Sequence, residues 1–162
     1  MREVIDMKGY FSLALIDPSG VVVVERKTKN RIVKTGRNLV AQLFAGPSGP
    51  PVAIVSHMGV GSDNTEPSDD DTDLLAPRSP RKPFTVEYLD FDEVTTGGTI
   101  KRQRVRLTAE FDFDEVNDPA VPLTEAAIFN DVSAGVMYNR VVFEGVTKTD
   151  AFKLTLQWDI IF

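Results

Sequence analysis

The chain has 162 residues, 42% hydrophobic and 26% charged, a balance that suits one folded domain with a single core and excludes a disordered class. A formal net charge of −6 sets it against nucleic acid as a main partner, because phosphate binding needs clustered cations. With no cysteine and one histidine, a disulfide framework, a thiolate metal site and an ordinary zinc site are all excluded.

The N-terminal stretch MREVIDMKGYFSLALID lacks the continuous apolar segment and cleavage site of a secretory leader. No apolar run approaches the ~18 residues that span a bilayer. No membrane partner is expected, and synthesis and assembly belong to a cytoplasm. GYFSLALI and VVVVER then flank Asp17-Pro18-Ser19-Gly20, whose proline second and glycine fourth predict a type I turn and a hairpin. TGRNLVAQLFAG predicts the one helix. Thr35 would cap it, Leu39, Val40, Leu43 and Phe44 would form its apolar face, and Gly46 would stop it before Pro47.

VAIVSHMGVG reads as a buried strand ending on glycines, and a long polar loop, 62–83, follows it. A second hairpin centres on Gly97-Gly98. With those two glycines as the loop, Glu93 lies opposite Arg102, and the acids of 87–93 neutralise the basic run KRQRVR across the strands. LTEAAIFNDVSAGVMYNRVVF predicts a third hairpin, with strands at 123–129 and 136–143. If Phe129 faces Val136, Glu125 faces Arg140, and the two make a buried or half-buried ion pair. The C-terminus alternates cleanly: Phe152, Leu154, Leu156, Trp158, Ile160 and Phe162 share one face, and Lys153, Thr155, Gln157 and Asp159 the other. Many short strands with one helix predict a mainly β protein, an antiparallel β-sandwich of jelly-roll-like type, forming a single domain over 1–162.

Chemistry is harder to find. Any Ser/His/Asp arrangement must use His57, which sits among apolar residues on the predicted inner strand and reads as a packed or edge histidine. Gly59-Val60-Gly61 has neither the third glycine nor the following helix of a phosphate loop. The remaining candidate is SDNTEPSDDDTDLLAPRSPRKP, with six carboxylates (Asp63, Glu66, Asp69, Asp70, Asp71, Asp73) followed by Arg78, Arg81 and Lys82. Asp69, Asp71 and Asp73 have the alternate spacing of a calcium loop. Leu74 and Pro80, however, stand where that motif needs glycine and glutamate, so only a looser calcium site is available and no metal or cofactor is expected. Leu74 and Leu75 read as the loop's anchor in the core, with Thr72 or Asp73 capping a short turn. The acids before that anchor and the cations after it would lie on opposite limbs. Asp63, Glu66, Asp70, Arg78, Arg81 and Lys82 therefore read as a charge-steered contact with a neighbouring subunit.

Two segments carry a resemblance. NRIVKTGRNLVAQLFAG leading to HMGVGSDNTEPSDDDTDLL, and PLTEAAIFND with GVMYNRVVFEGVTKT and LTLQWDIIF, are similar to small structural proteins of tailed bacteriophages, including the N-terminal domain of tail-collar fibre proteins. The resemblance spans most of 30–162. It implies a non-enzymatic virion subunit of the tail, baseplate or fibre-attachment region, homo-oligomeric and in contact with other virion proteins. This sequence has no fibre shaft after the domain, which would make it a free-standing subunit. Capsid decoration (a cement protein) is the sibling expectation. A carbohydrate- or calcium-binding sandwich, with Tyr10, Tyr88, Tyr138 and Trp158 as its only ring platforms beside the phenylalanines, is the alternative from another class. A hydrolase built on the acidic loop is a third.

Overall fold

The computed structural model describes residues 7–162 and is mainly β, two antiparallel five-stranded sheets with one helix, as the alternating sequence predicts. The single-domain expectation over 1–162 and the leader reading both include residues 1–6, which lie outside the described residues. Sheet A runs β2 (Val22–Lys29), β1 (Lys8–Ile16), β10 (Lys153–Ile161), β7 (Gly98–Phe111), β6 (Thr85–Thr95). Sheet B runs β3 (Arg31–Ile32), β9 (Met137–Val146), β8 (Leu123–Phe129), β4 (His57–Gly61), β5 (Pro77–Pro83).

The core forms where the inner faces meet. Phe11, Leu13, Leu15, Leu107, Phe111, Leu154, Leu156 and Trp158 of sheet A join Met58, Val60, Leu123, Ala126, Ile128 and Val141 of sheet B in one buried cluster. Phe11 packs on Trp158 with ring centroids 4.5 Å apart and on Phe143 at 5.4 Å. Each fully buried large side chain contributes about 1.5–3 kcal/mol, so this cluster carries most of the favourable burial.

The two sheets differ on their outer faces, and the sequence shows why. In sheet A, β1 and β10 alternate buried with half-buried or exposed residues over most of their length, so the outer face is wet. In sheet B, β8 is buried at six of its seven positions. Its second face is covered by a smaller apolar cluster of Val33, Leu74, Ala127, Phe129 and Met137, which draws in the 62–76 loop. A strand buried on both faces loses its alternation, which is why AAIF and MGVG read as continuous apolar runs.

Several local expectations need correcting. Thr35 is not the helix cap: α1 (Lys34–Ala45) begins after Val33 without a side-chain cap, and the Thr35 hydroxyl donates to the Met137 carbonyl at 2.8 Å. The helix is thus tied sideways to sheet B. Leu39 is buried, yet Leu43 is 43% and Phe44 is 93% exposed, so the far end of the apolar stripe faces out. In the β6–β7 hairpin the loop is Thr96-Gly97, with Thr95 opposite Gly98. Gly98, at φ 125°, takes the conformation that side chains avoid. Glu93 consequently faces Ile100 rather than Arg102, and the Arg102 Nε–H reaches it diagonally at 2.8 Å. In the third hairpin a bulge between Ile128 and Phe129 shifts the register, so that Arg140 lies opposite Ala127 and Glu125 opposite Val142. Parity survives a two-residue shift, so both charges stay on one face. Finally, 62–83 is not one loop. Pro77–Pro83 forms β5, an edge strand, the place where a sheet tolerates prolines that lack the ladder N–H.

Candidate functional site

The most specific polar structure is the roof of sheet B. Glu125 on β8 and Arg140 on β9 are both 0% exposed, and Arg140 Nε donates to Glu125 Oε2 at 2.8 Å. Their second-layer partners all come from the acidic loop. Glu125 accepts backbone N–H groups of Ala76 (2.8 Å), Leu75 (3.2 Å) and Asp63 (3.4 Å). Arg140 donates to the Thr65 carbonyl at 2.9 Å and to Asp71 Oδ2 at 3.1 Å, and its Nη2 stands 3.5 Å from Asp63. Gly61 leaves room for this, since a Cβ there would collide with Glu125 Oε1 and the Ala76 carbonyl. The expected Glu125–Arg140 pair is therefore present, and it fastens the loop down as well as joining two strands.

The calcium candidates diverge. Asp69 accepts from Arg31 at 2.9 Å with Arg37 at 3.5 Å, Asp71 turns to Arg140 and the Ser68 N–H, and Asp73 accepts the Leu74 N–H and lies 3.4 Å from Arg81. Three carboxylates drawn to three different cations make no cage, and no metal-competent cluster of His, Asp or Glu occurs among the described residues. The two limbs are also not segregated by charge, because Arg81 folds back to Asp73. Its guanidinium lies over the Phe129 ring at 3.4 Å and donates to the Ala134 carbonyl at 2.7 Å, and burial pushes its pKa down. Arg78 pairs with Asp118 at 2.9 Å and Lys82 with Glu115 at 2.7 Å. Glu66 and Asp70 project into solvent without an ion pair among the described residues. Of the two leucines only Leu74 anchors the loop; Leu75 is 51% exposed.

Hydrogen bonds hold Asp63 below the ordinary carboxylate range through the Thr65 N–H and hydroxyl, with Arg140 adding to them. Asp69 is lowered by its Arg31 hydrogen bond. Sequence reasoning missed Lys148, which is 1% exposed and whose ammonium donates to the Asp112 carbonyl (2.9 Å), the Phe113 carbonyl (3.3 Å), Asn117 Oδ1 (2.8 Å) and the Thr149 carbonyl (3.1 Å). Burial lowers its pKa. It organises the 112–118 turn, and an exposed-looking TKTD stretch gave no signal of that.

His57 starts β4, half-buried, with Nδ1 hydrogen-bonded to the Ser56 hydroxyl at 2.8 Å. The nearby Asp131 carboxylate is held by the Ser133 and Ala134 N–H groups, which lower its pKa. Among the described residues no carboxylate is hydrogen-bonded to the imidazole, so there the serine and histidine lack the orienting third member of a triad.

Two surface features remain. The first is an apolar cavity of about 290 Å³, lined by Leu39, Leu43, Ile54, Val86, Tyr88 and Tyr138 among others, at the end of the sandwich between α1, the 54–55 segment and β6. Its rim is exposed and apolar: Ile54 69%, Tyr88 73% and Val86 48%, with Phe44 of the same helix nearly free. Tyr138 carries a buried hydroxyl without a hydrogen-bond partner among the described residues, and burial pushes its pKa up to about 12.

The second is a polar groove of about 650 Å³ on the outer face of sheet A. Short side chains (Ser12, Ala14, Thr155) occupy the central strands, and Lys27, Lys29 and Arg106 form the flanks. Tyr10 is 41% exposed there, beside Asp159, which accepts from Arg106 at 2.8 and 2.9 Å. Of the four ring platforms, Tyr10 and Tyr88 are exposed, whereas Tyr138 and Trp158 are buried.

Compared with protein families, curated proteins and solved structures, the chain matches none of them.

Proposed function

We propose that this chain is a non-enzymatic assembly subunit of a tailed-bacteriophage virion, placed in the tail, baseplate or fibre-attachment region and working by packing against other virion subunits. The observation that carries the assembly reading is the exposed apolar rim of the α1–β6 cavity. Leu43, Ile54, Val86 and Tyr88 present large apolar side chains together, and contiguous patches of this kind mark contact surfaces. The roof of sheet B fits the same role, because a loop fastened by a buried ion pair presents a fixed shape to a neighbour. The virion setting rests on the resemblance of the 30–75 and 122–162 segments to phage structural proteins.

Electron microscopy of particles made without the gene product tests the placement. Missing tail-tip density is the expected result, missing capsid knobs would move the subunit to the decoration role, and a product that never copurifies with particles would end both. A second reading, carbohydrate binding, rests on the sheet A groove, where Tyr10 offers a stacking ring beside the planar Arg106–Asp159 pair and Gln157. Binding on a glycan array that is lost in Tyr10→Ala would favour it; a flat array would dismiss it.

A further inference from the structure

We propose that copies of this chain join head to tail through the two edges of sheet A, with β2 of one copy adding to β6 of the next to make a continuous intersubunit sheet. The inference deepens the assembly reading and rests on it.

Both strands are long, eight and eleven residues, and each borders its sheet with no strand on its far side among the described residues. Unpaired edges of that length are templates for another strand. Their charges are opposite. β2 carries Arg26, Lys27 and Lys29 against Glu25, whereas β6 carries Glu87, Asp90, Asp92 and Glu93 with no base. Some of these groups already have partners in their own chain: Lys27 lies 3.3 Å from Glu25, Lys101 pairs with Asp92, and Arg102 with Glu93. Lys29 and Asp90 are exposed and have no ion pair among the described residues.

Direction then decides the mode. All pairings within sheet A are antiparallel, and β2 and β6 are separated by β1, β10 and β7, so the two edge strands run the same way. A two-fold dimer through one edge would pair β2 with β2 or β6 with β6, setting like charges together. Head-to-tail addition instead places β2 beside β6 in parallel, and both strands are graded alike along that direction. β2 starts with Val22, Val23 and Val24 and ends in its charges; β6 starts with Val86 and Tyr88 and continues into Asp90, Asp92 and Glu93.

The faces also match. Val24, Arg26 and Thr28 stand opposite Leu15, Leu13 and Phe11 of the core, and Val86 and Tyr88 opposite Leu107 and Val105, so these even positions share the inner face. An arriving β2 would lay Val24 beside Tyr88 at the apolar rim, and would bring Lys27 and Lys29 level with Phe91 and Glu93, among the acids of 90–93. Val21, Val22 and Val23 are 56%, 51% and 44% exposed in the single chain, and the contact would cover them. Such a heterologous contact closes into a ring or runs on as a filament, according to the rotation per subunit.

The test uses the full chain in native mass spectrometry and light scattering over a dilution series, in low and high salt. Wild type is expected to form oligomers that salt weakens. Lys27→Glu with Lys29→Glu gives a chain with two acidic edges, and Asp90→Lys with Asp92→Lys gives a chain with two basic edges. All four positions are exposed, so the fold should persist with unchanged melting. Each double variant alone should associate at least about tenfold more weakly, whereas mixing the two, or combining all four changes in one chain, should restore association. Zero-length carbodiimide cross-linking of mixed 14N and 15N wild-type chains reads the contact without variants, with Lys27 or Lys29 joined to Glu93 or Asp92 of another copy.

A wild type that stays monomeric at every dilution, oligomers indifferent to the reversals, or cross-links confined to the α1 rim would overturn the edge pairing. A chain found in purified particles that is monomeric and uncross-linked would overturn it while leaving the virion reading intact. A chain that assembles by its edges and is absent from particles would do the opposite.

Discussion

Replacing Arg140 by methionine asks whether charge or packing holds the roof of sheet B. The substitution keeps a long apolar stem and removes a fully buried guanidinium that stands 2.8 Å from Glu125 and 3.1 Å from Asp71. Glu125 would stay buried with only the N–H groups of Leu75, Ala76 and Asp63 as donors. Breaking a buried pair by removing one partner costs about 3–5 kcal/mol. Against a total of about 5–15 kcal/mol for a native domain, that is a large share. Glu125→Gln keeps the shape and an acceptor for Arg140, and should cost less, about 1–3 kcal/mol. The double variant Glu125→Leu with Arg140→Met leaves neither member of the pair as a lone buried charge, so its cost should fall short of the summed costs of Glu125→Leu alone and Arg140→Met alone by more than about 1 kcal/mol. Urea unfolding at constant slope measures all of these, and hydrogen exchange at the Leu75 and Ala76 amides, expected to quicken, reports the roof itself. If Arg140→Met cost less than about 1 kcal/mol, or if the double cycle were additive, Leu74 packing rather than the ion pair would be holding the loop.

Three further outcomes follow from the same structure. Lys148→Met leaves three carbonyls and the Asn117 amide oxygen without their donor, and should lower stability by about 1–3 kcal/mol, read from the urea midpoint. Gly61→Ala drives a methyl group into the Glu125 carboxylate and the Ala76 carbonyl, and should cost about 1–3 kcal/mol, while Gly49→Ala, which meets nothing within 4 Å, serves as the neutral comparison in the same melts. Acid should destabilise the fold in a defined window. Asp63, Asp69, Glu93, Glu115 and Asp118 have pKa values below the ordinary 3.8 for Asp and 4.5 for Glu, so the unfolded chain takes up protons first. Their stabilisation is complete above those ordinary values and declines as pH falls through the lowered ones. A urea midpoint unchanged between neutral pH and pH values below that range would contradict this.

Much of the fold was legible in the residue order, because it depends on period and on turn chemistry. The alternation from Phe152 to Ile160 fixes which face of β10 is buried, and Asp17-Pro18-Ser19-Gly20 closes the first hairpin with the Gly20 N–H bonded to the Asp17 carbonyl at 3.0 Å. The Glu125–Arg140 pair was readable for a related reason: shifting a hairpin by two residues leaves both side chains on the same face, so the partnership tolerates an error in register.

What tertiary structure alone decided is where the long-range partners lie. A local pattern cannot say that Asp71 and Thr65 would close on Arg140, or that Arg81 would turn back over Phe129. Nor can it say that Pro77–Pro83, composed like a loop, would find the free edge of β4. Those choices follow from the second face of sheet B, which is apolar and needs a cover, so the acidic loop is drawn over it and its Asp63 and Asp71 meet Arg140 below. The same packing leaves the rim of the α1–β6 cavity and both edges of sheet A uncovered. Sequence supplied opposite charges on those two edges, and only the strand order showed that they run in the same direction at opposite ends of one sheet.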